Sequence, residues 1–183
     1  MWHSLLVEDL TTVKWLLEQG ALPNVPAQSG NTPLSIAVAN APIEVIKTLV
    51  QASASDLKPG DLVYCAVRRW GEKKDEETAL EIIRVLLKAG APVDKILWDD
   101  PSAHQEKAAI YRGTALHEAC RIGWNRGVKL LLENGADPDK PKQKFKDNTG
   151  RTPREIAREQ ERFSILKIMQ DYGQSAGKDR RCQ

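Results

Sequence analysis

Apolar residues in this chain come in short runs, and each run is closed by a small-residue turn. Val13-Lys14-Trp15-Leu16-Leu17-Glu18-Gln19-Gly20-Ala21 is one. Val85-Leu86-Leu87-Lys88-Ala89-Gly90-Ala91 and Val128-Lys129-Leu130-Leu131-Leu132-Glu133-Asn134-Gly135-Ala136-Asp137 are two more. Their spacing makes one apolar face of a helix. The glycines at the unit ends (Gly20, Gly90, Gly135 and Gly173) suit a left-handed C-terminal cap, which a Cβ would disfavour. A second phrase alternates with the first. Gly30-Asn31-Thr32-Pro33-Leu34-Ser35-Ile36-Ala37 reappears as Gly113-Thr114-Ala115-Leu116-His117-Glu118-Ala119 and as Gly150-Arg151-Thr152-Pro153-Arg154-Glu155-Ile156-Ala157. In it, Thr fits the N-cap, where its hydroxyl accepts from a first-turn N–H. Pro fits the first helical position, which needs no donor. Two such phrases alternating at a period of about 33 residues predict an all-α solenoid of helix–turn–helix units. Neither short helix buries its apolar face alone, so neighbouring units must stack into one core.

Aligning on these marks gives five units: Met1–Pro26, Ala27–Lys58, Pro59–Trp98, Arg112–Lys144 and Asn148–Gly173. The third is degenerate. Asp61-Leu62-Val63-Tyr64-Cys65-Ala66 matches Thr32 to Ala37, so Asp61 is expected as its cap. The second unit ends in Ser53-Ala54-Ser55 instead of Gly-Ala-Asp. Long inserts interrupt the array near 71–78, 95–111 and 140–147. The first insert, Gly-Glu-Lys-Lys-Asp-Glu-Glu over 71–77, reads as a solvated loop or a helix extension. The unit domain spans 1–173, and the small, polar residues 174–183 read as a fraying tail. Met1 falls inside the first helix of unit one. Either Trp2, Leu5 and Leu6 pack inward with His3, Glu8 and Asp9 facing out, or the chain is a piece of a longer array.

These phrases resemble the ankyrin-repeat family over nearly the whole chain, most specifically in units two, four and five. The resemblance implies a protein-interaction module that carries no chemistry. It implies that His117, at the His of the family's Thr-Pro-Leu-His, makes a structural hydrogen bond to neighbouring backbone. It also implies a concave recognition surface around the turn glycine and the end of each first helix. Mapped onto this chain, that surface gathers Arg68, Arg69, Trp70, Tyr111, Arg121, Trp124 and Arg151. Arg, Tyr and Trp are the residue types that dominate binding hot spots. The bland reading is that Trp70 and Trp124 only cover a helix–helix corner.

Charge narrows the partner. A net charge of +2 is too small for a chain-wide nucleic-acid footprint. The arginines favour another protein with an acidic segment. Nucleic-acid or anionic-surface binding through the middle basic residues and Lys140-Pro141-Lys142-Gln143-Lys144-Phe145-Lys146 is one alternative. A structural spacer within a longer array is another. Three widely spaced cysteines (65, 120 and 182) argue against a disulfide framework and for a reducing, cytoplasmic or nuclear compartment. No apolar run approaches the length of a membrane span. A monomer is expected.

Candidate chemistry is thin. His117 and Cys120 share a helix face, but no second pair stands at zinc spacing. No nucleophile sits in a recognisable catalytic turn, and no Gly-rich phosphate loop is present. Neither catalytic residues, cofactor nor metal is expected.

Overall fold

The computed structural model describes residues 8–27, 31–53, 57, 61–96, 113–142 and 150–179, with side chains up to 174. These residues form α1 (Leu10–Glu18), α2 (Pro33–Asn40), α3 (Ile43–Ala52), α4 (Leu62–Lys73), α5 (Glu76–Lys88), α6 (Ala115–Ile122), α7 (Asn125–Glu133), α8 (Pro153–Glu159) and α9 (Phe163–Asp179). Helices α2, α4, α6 and α8 open units two to five and pack in succession as an inner row. The second helices lie outside them. There α1, α3 and α5 pack in turn, and α7 packs on α9. One apolar cluster runs the length of the stack, from Val13 through Ile46, Ile83, Leu116 and Leu131 to Ile165. Helices as short as α2 (8 residues) and α8 (7 residues) are marginal alone in water. The shared cluster is what holds them.

The repeated phrases form the expected local structures. Thr32 Oγ1 accepts from the Ser35 N–H at 3.0 Å, and Ser35 Oγ accepts from the Thr32 N–H at 2.9 Å. Thr152 and Glu155 make the same exchange at 3.1 and 2.8 Å. Each box satisfies two donors that the helix itself leaves orphaned. At the far ends of α1, α5 and α7, the N–H groups of Gly20, Gly90 and Gly135 donate to Leu17, Leu87 and Leu132. The following Ala21, Ala91 and Ala136 donate to Leu16, Leu86 and Leu131. The three glycines have φ of +82°, +92° and +87°, where a side chain would be strained. Unit two lacks the glycine. There Ser53 keeps a negative φ, and its hydroxyl donates to the Leu49 carbonyl at 2.7 Å.

Two expectations need correction. Asp61 makes no capping bond: it takes a left-handed φ of +49°, and its carboxylate pairs with Lys95 Nζ at 3.0 Å. Gly173 does not end a helix, because α9 runs through it to Asp179, so the expected tail from Gln174 begins as helix. Residues 71–73 continue α4 as helix, and only Lys74-Asp75 separates it from α5. The helix-extension reading of that insert therefore holds. Residues 1–7, 97–112, 143–149 and 180–183 lie outside the described residues, and with them Trp2, Leu5, Leu6, Trp98, Lys144 and Phe145.

Thr32→Ala and Thr152→Ala should each destabilise the protein by roughly 1 kcal/mol. Urea denaturation checks this: the midpoint should fall while the slope stays unchanged.

Candidate functional site

The inner row presents exposed arginines on three successive units. Arg68 projects from α4 and pairs with Glu72 one turn on. Arg121 projects from α6, where its Nε and Nη2 donate to both oxygens of Glu118 at 2.8 and 2.6 Å. Arg151 stands just before α8, with its Nε 3.0 Å from Glu159. Tyr64 lies one turn before Arg68. Burial pushes its hydroxyl pKa up to about 12, and the Glu118 carboxylate adds to the effect. Lys142 is half-buried, and burial draws its ammonium pKa down against the pull of Glu118. The fields of these groups overlap, so units three to five share one strip of mixed charge.

Two of the arginine and tryptophan positions expected there are occupied elsewhere. Arg69 is buried, with 8% of its surface exposed. Its Nη1 donates to the carbonyls of Val38 (3.2 Å) and Ala41 (2.8 Å) at the end of α2. A cation there satisfies orphan carbonyls and opposes the negative end of the helix dipole. Burial pushes its pKa down. Arg69 therefore joins units two and three and presents nothing to a partner. Trp124 is 1% exposed, at the N-cap of α7. It stacks on Trp70 with ring centroids 4.9 Å apart and planes within 8°. Its Nε1 donates to Glu76 at 2.7 Å, while Arg126 pairs with Glu76 and Glu77. The corner-covering reading is correct for Trp124. Trp70 is only half-buried. Tyr111 lies outside the described residues.

The stack explains a glycine. A Cβ on Gly127 would fall inside contact distance of the Trp124 ring at Cε3, Cδ2 and Cζ3. The helix can therefore turn beneath the indole only with no side chain at that position.

His117 is buried where units four and five meet. The Thr114 N–H donates to its Nδ1 at 2.9 Å, so the ring proton sits on Nε2, which donates to the Arg151 carbonyl at 3.1 Å. Both nitrogens are thus engaged by neighbouring groups, as the resemblance implied. Burial, with Lys142 nearby, pushes the imidazole pKa down to about 4. Cys120 is buried among apolar side chains, and burial pushes its thiol pKa to about 12. Among the described residues, no three His, Cys, Asp or Glu side chains could hold a metal together. No described helix is long and apolar enough to cross a membrane.

Residue reasoning missed Glu118, Tyr64 and Glu76. Glu118 carried a usable signal, standing three residues before Arg121 on one helix face. Glu76 carried none, because its partners Trp124 and Arg126 lie about fifty positions away in sequence.

Comparison with known proteins agrees with this geometry. A family model described as ankyrin repeats (many copies) matches residues 8–50, and one described as ankyrin repeat matches residues 112–143. The chain is 28% identical over 130 residues to human ankyrin repeat domain-containing protein 63, covering 70% of this chain and 34% of that protein. It is 30% identical over 178 residues to human mitochondrial disaggregase, covering 87% of this chain and 24% of that protein. The chain thus spans about a third or less of the length of these relatives.

Two outcomes follow from the buried contacts. Gly127→Ala should destabilise the fold by at least about 1 kcal/mol through overpacking against Trp124, read as a lowered melting temperature. His117 sets a pH dependence. Its folded pKa lies below the ordinary 6.5, so its contribution is complete above pH 6.5 and is lost as pH falls towards 4. The full loss is about 3 kcal/mol. A His117→Gln variant should show a shallower fall between those pH values in denaturation curves, and an unchanged fall would contradict the assignment.

Proposed function

The chain belongs to the ankyrin-repeat family, and we propose that it is a non-catalytic interaction module whose concave face receives an acidic segment of another protein. Ankyrin repeats are generally protein–protein interaction modules and generally non-enzymatic. The observation that carries the finer reading is the row of exposed guanidinium groups at Arg68, Arg121 and Arg151. Adjacent units of a solenoid place them side by side, so they form a ridge. Each is held extended by a glutamate of its own unit. Exposed pairs of this kind contribute only about 0–1 kcal/mol, so partner carboxylates can replace Glu72 and Glu159 at little cost. Glu118 is mostly buried and stays in place, fixing Arg121 for bidentate recognition. Tyr64 supplies an apolar surface beneath the ridge. The module acts as a monomer in a reducing compartment, cytoplasmic or nuclear, in keeping with the three widely spaced cysteines of the sequence.

The test compares variants on one captured partner. Arg68→Ala and Arg121→Ala should each cost at least about 2 kcal/mol of binding. Arg121→Lys should also weaken it, because an ammonium cannot pair in the same forked geometry. Lys129→Ala and Lys167→Ala, exposed on α7 and α9, should leave affinity unchanged. Equal losses from all four alanine variants would reduce the interaction to nonspecific charge and overturn the concave-face reading.

A further inference from the structure

The two faces of the Trp70 ring are occupied differently. One lies on the buried Trp124. The other carries the ammonium of Lys74, 4.7 Å from the ring centroid. Lys74 is exposed and holds a left-handed φ of +59°, a conformation that a residue with a Cβ adopts at a cost. A cation on an exposed ring is weakly held, and ordering a lysine side chain opposes it. The occupant is therefore easily exchanged.

The corner around Trp70 is half-buried and carries charges of both signs, with Lys73, Lys74 and Arg126 beside the carboxylates. Helix α4 has 12 residues, against 8 in α2 and α6 and 7 in α8. At 1.5 Å per residue the extra turn extends it by about 6 Å. Four carboxylates lie within this stretch of chain, at Glu72, Asp75, Glu76 and Glu77. Glu76 accepts the Trp124 indole N–H, which brings negative charge to the edge of the stack. Glu72 and Glu77 hold Arg68 and Arg126 in surface pairs, and Asp75 caps α5 by accepting from the Thr78 N–H. Such surface pairs are weak enough to open to a competing cation.

We infer that the outer face of Trp70 is a recognition site for an arginine side chain of a partner protein, with Lys74 as its resident and displaceable occupant. The planar guanidinium stacks on an indole more closely than an ammonium does. Its edges can also reach the flanking carboxylates for charge-assisted hydrogen bonds. This site borders the arginine ridge, sharing Glu72 with Arg68, but does not depend on the acidic-segment reading.

The test uses the full chain, isotope-labelled for NMR. It is titrated separately with acetyl-Gly-Arg-Gly-amide, with the matching Gln peptide and with uridine monophosphate. The Trp70 indole signal is assigned by its loss in Trp70→Phe. The arginine peptide should shift that signal saturably, and the Gln peptide should not. Lys74→Gln should tighten arginine binding by about two- to five-fold, the worth of the contact it removes. Trp70→Phe, which keeps a ring on Trp124, should weaken binding while the amide spectrum stays folded. No saturable shift, an equal shift with the Gln peptide, or an unchanged affinity in Lys74→Gln would overturn the site. A stronger response to the nucleotide would also overturn it, making the ring a base-stacking platform.

Discussion

No unit of this protein can bury its own apolar surface, and every other feature depends on that constraint. A pair of short helices exposes one apolar stripe on each side, so each unit completes the core of the next. The cluster from Val13 to Met169 is the result. Apolar contact alone leaves the sliding of one unit over another loosely specified. Polar groups that cross the unit borders fix the register. Arg69 reaches from unit three to the carbonyls that end α2. Trp124 reaches from unit four to Glu76 of unit three. His117 reaches from unit four to the Arg151 carbonyl of unit five. Each is a buried group whose donor would be costly to leave unpaired.

The same constraint separates what the surface can offer from what stacking has consumed. Neighbouring positions on one helix have opposite fates. Arg68 faces outward with Glu72, while Arg69, one residue on, is turned into the border with unit two. A rotation of about 100° per residue decides between exposure and burial. Trp70 and Trp124 show the same division within one stacked pair: the inner ring is enclosed and the outer ring is half-buried beneath Lys74.

Most of the fold was legible in the sequence because its signals are local. A Thr cap, a Pro at the first helical position and a Gly at the end each act within a turn or two, and Thr32, Thr152, Gly20, Gly90 and Gly135 all do so. Reading failed where a local signal met a competing partner. Asp61 is a competent cap by type, yet Lys95, 34 positions away, takes its carboxylate. Gly173 has the right composition for a stop, but nothing there forces a left-handed turn and α9 continues. The candidate site was less legible. Residue type and approximate position singled out Arg68, Arg121 and Arg151, and all three are exposed. Composition could not separate them from Arg69 and Trp124, because burial is set by the neighbouring unit.

Polar bonds across unit borders, added to the shared apolar core, tie the units into one cooperative structure. Hydrogen exchange resolved by helix tests this most directly, comparing the native chain with Arg69→Met. Methionine keeps the buried stem and removes the donors with their charge, leaving the α2 carbonyls unpaired. Exchange should become faster in both α2 and α4, on the two sides of the border. Loss of protection confined to α4, with α2 unchanged, would contradict it.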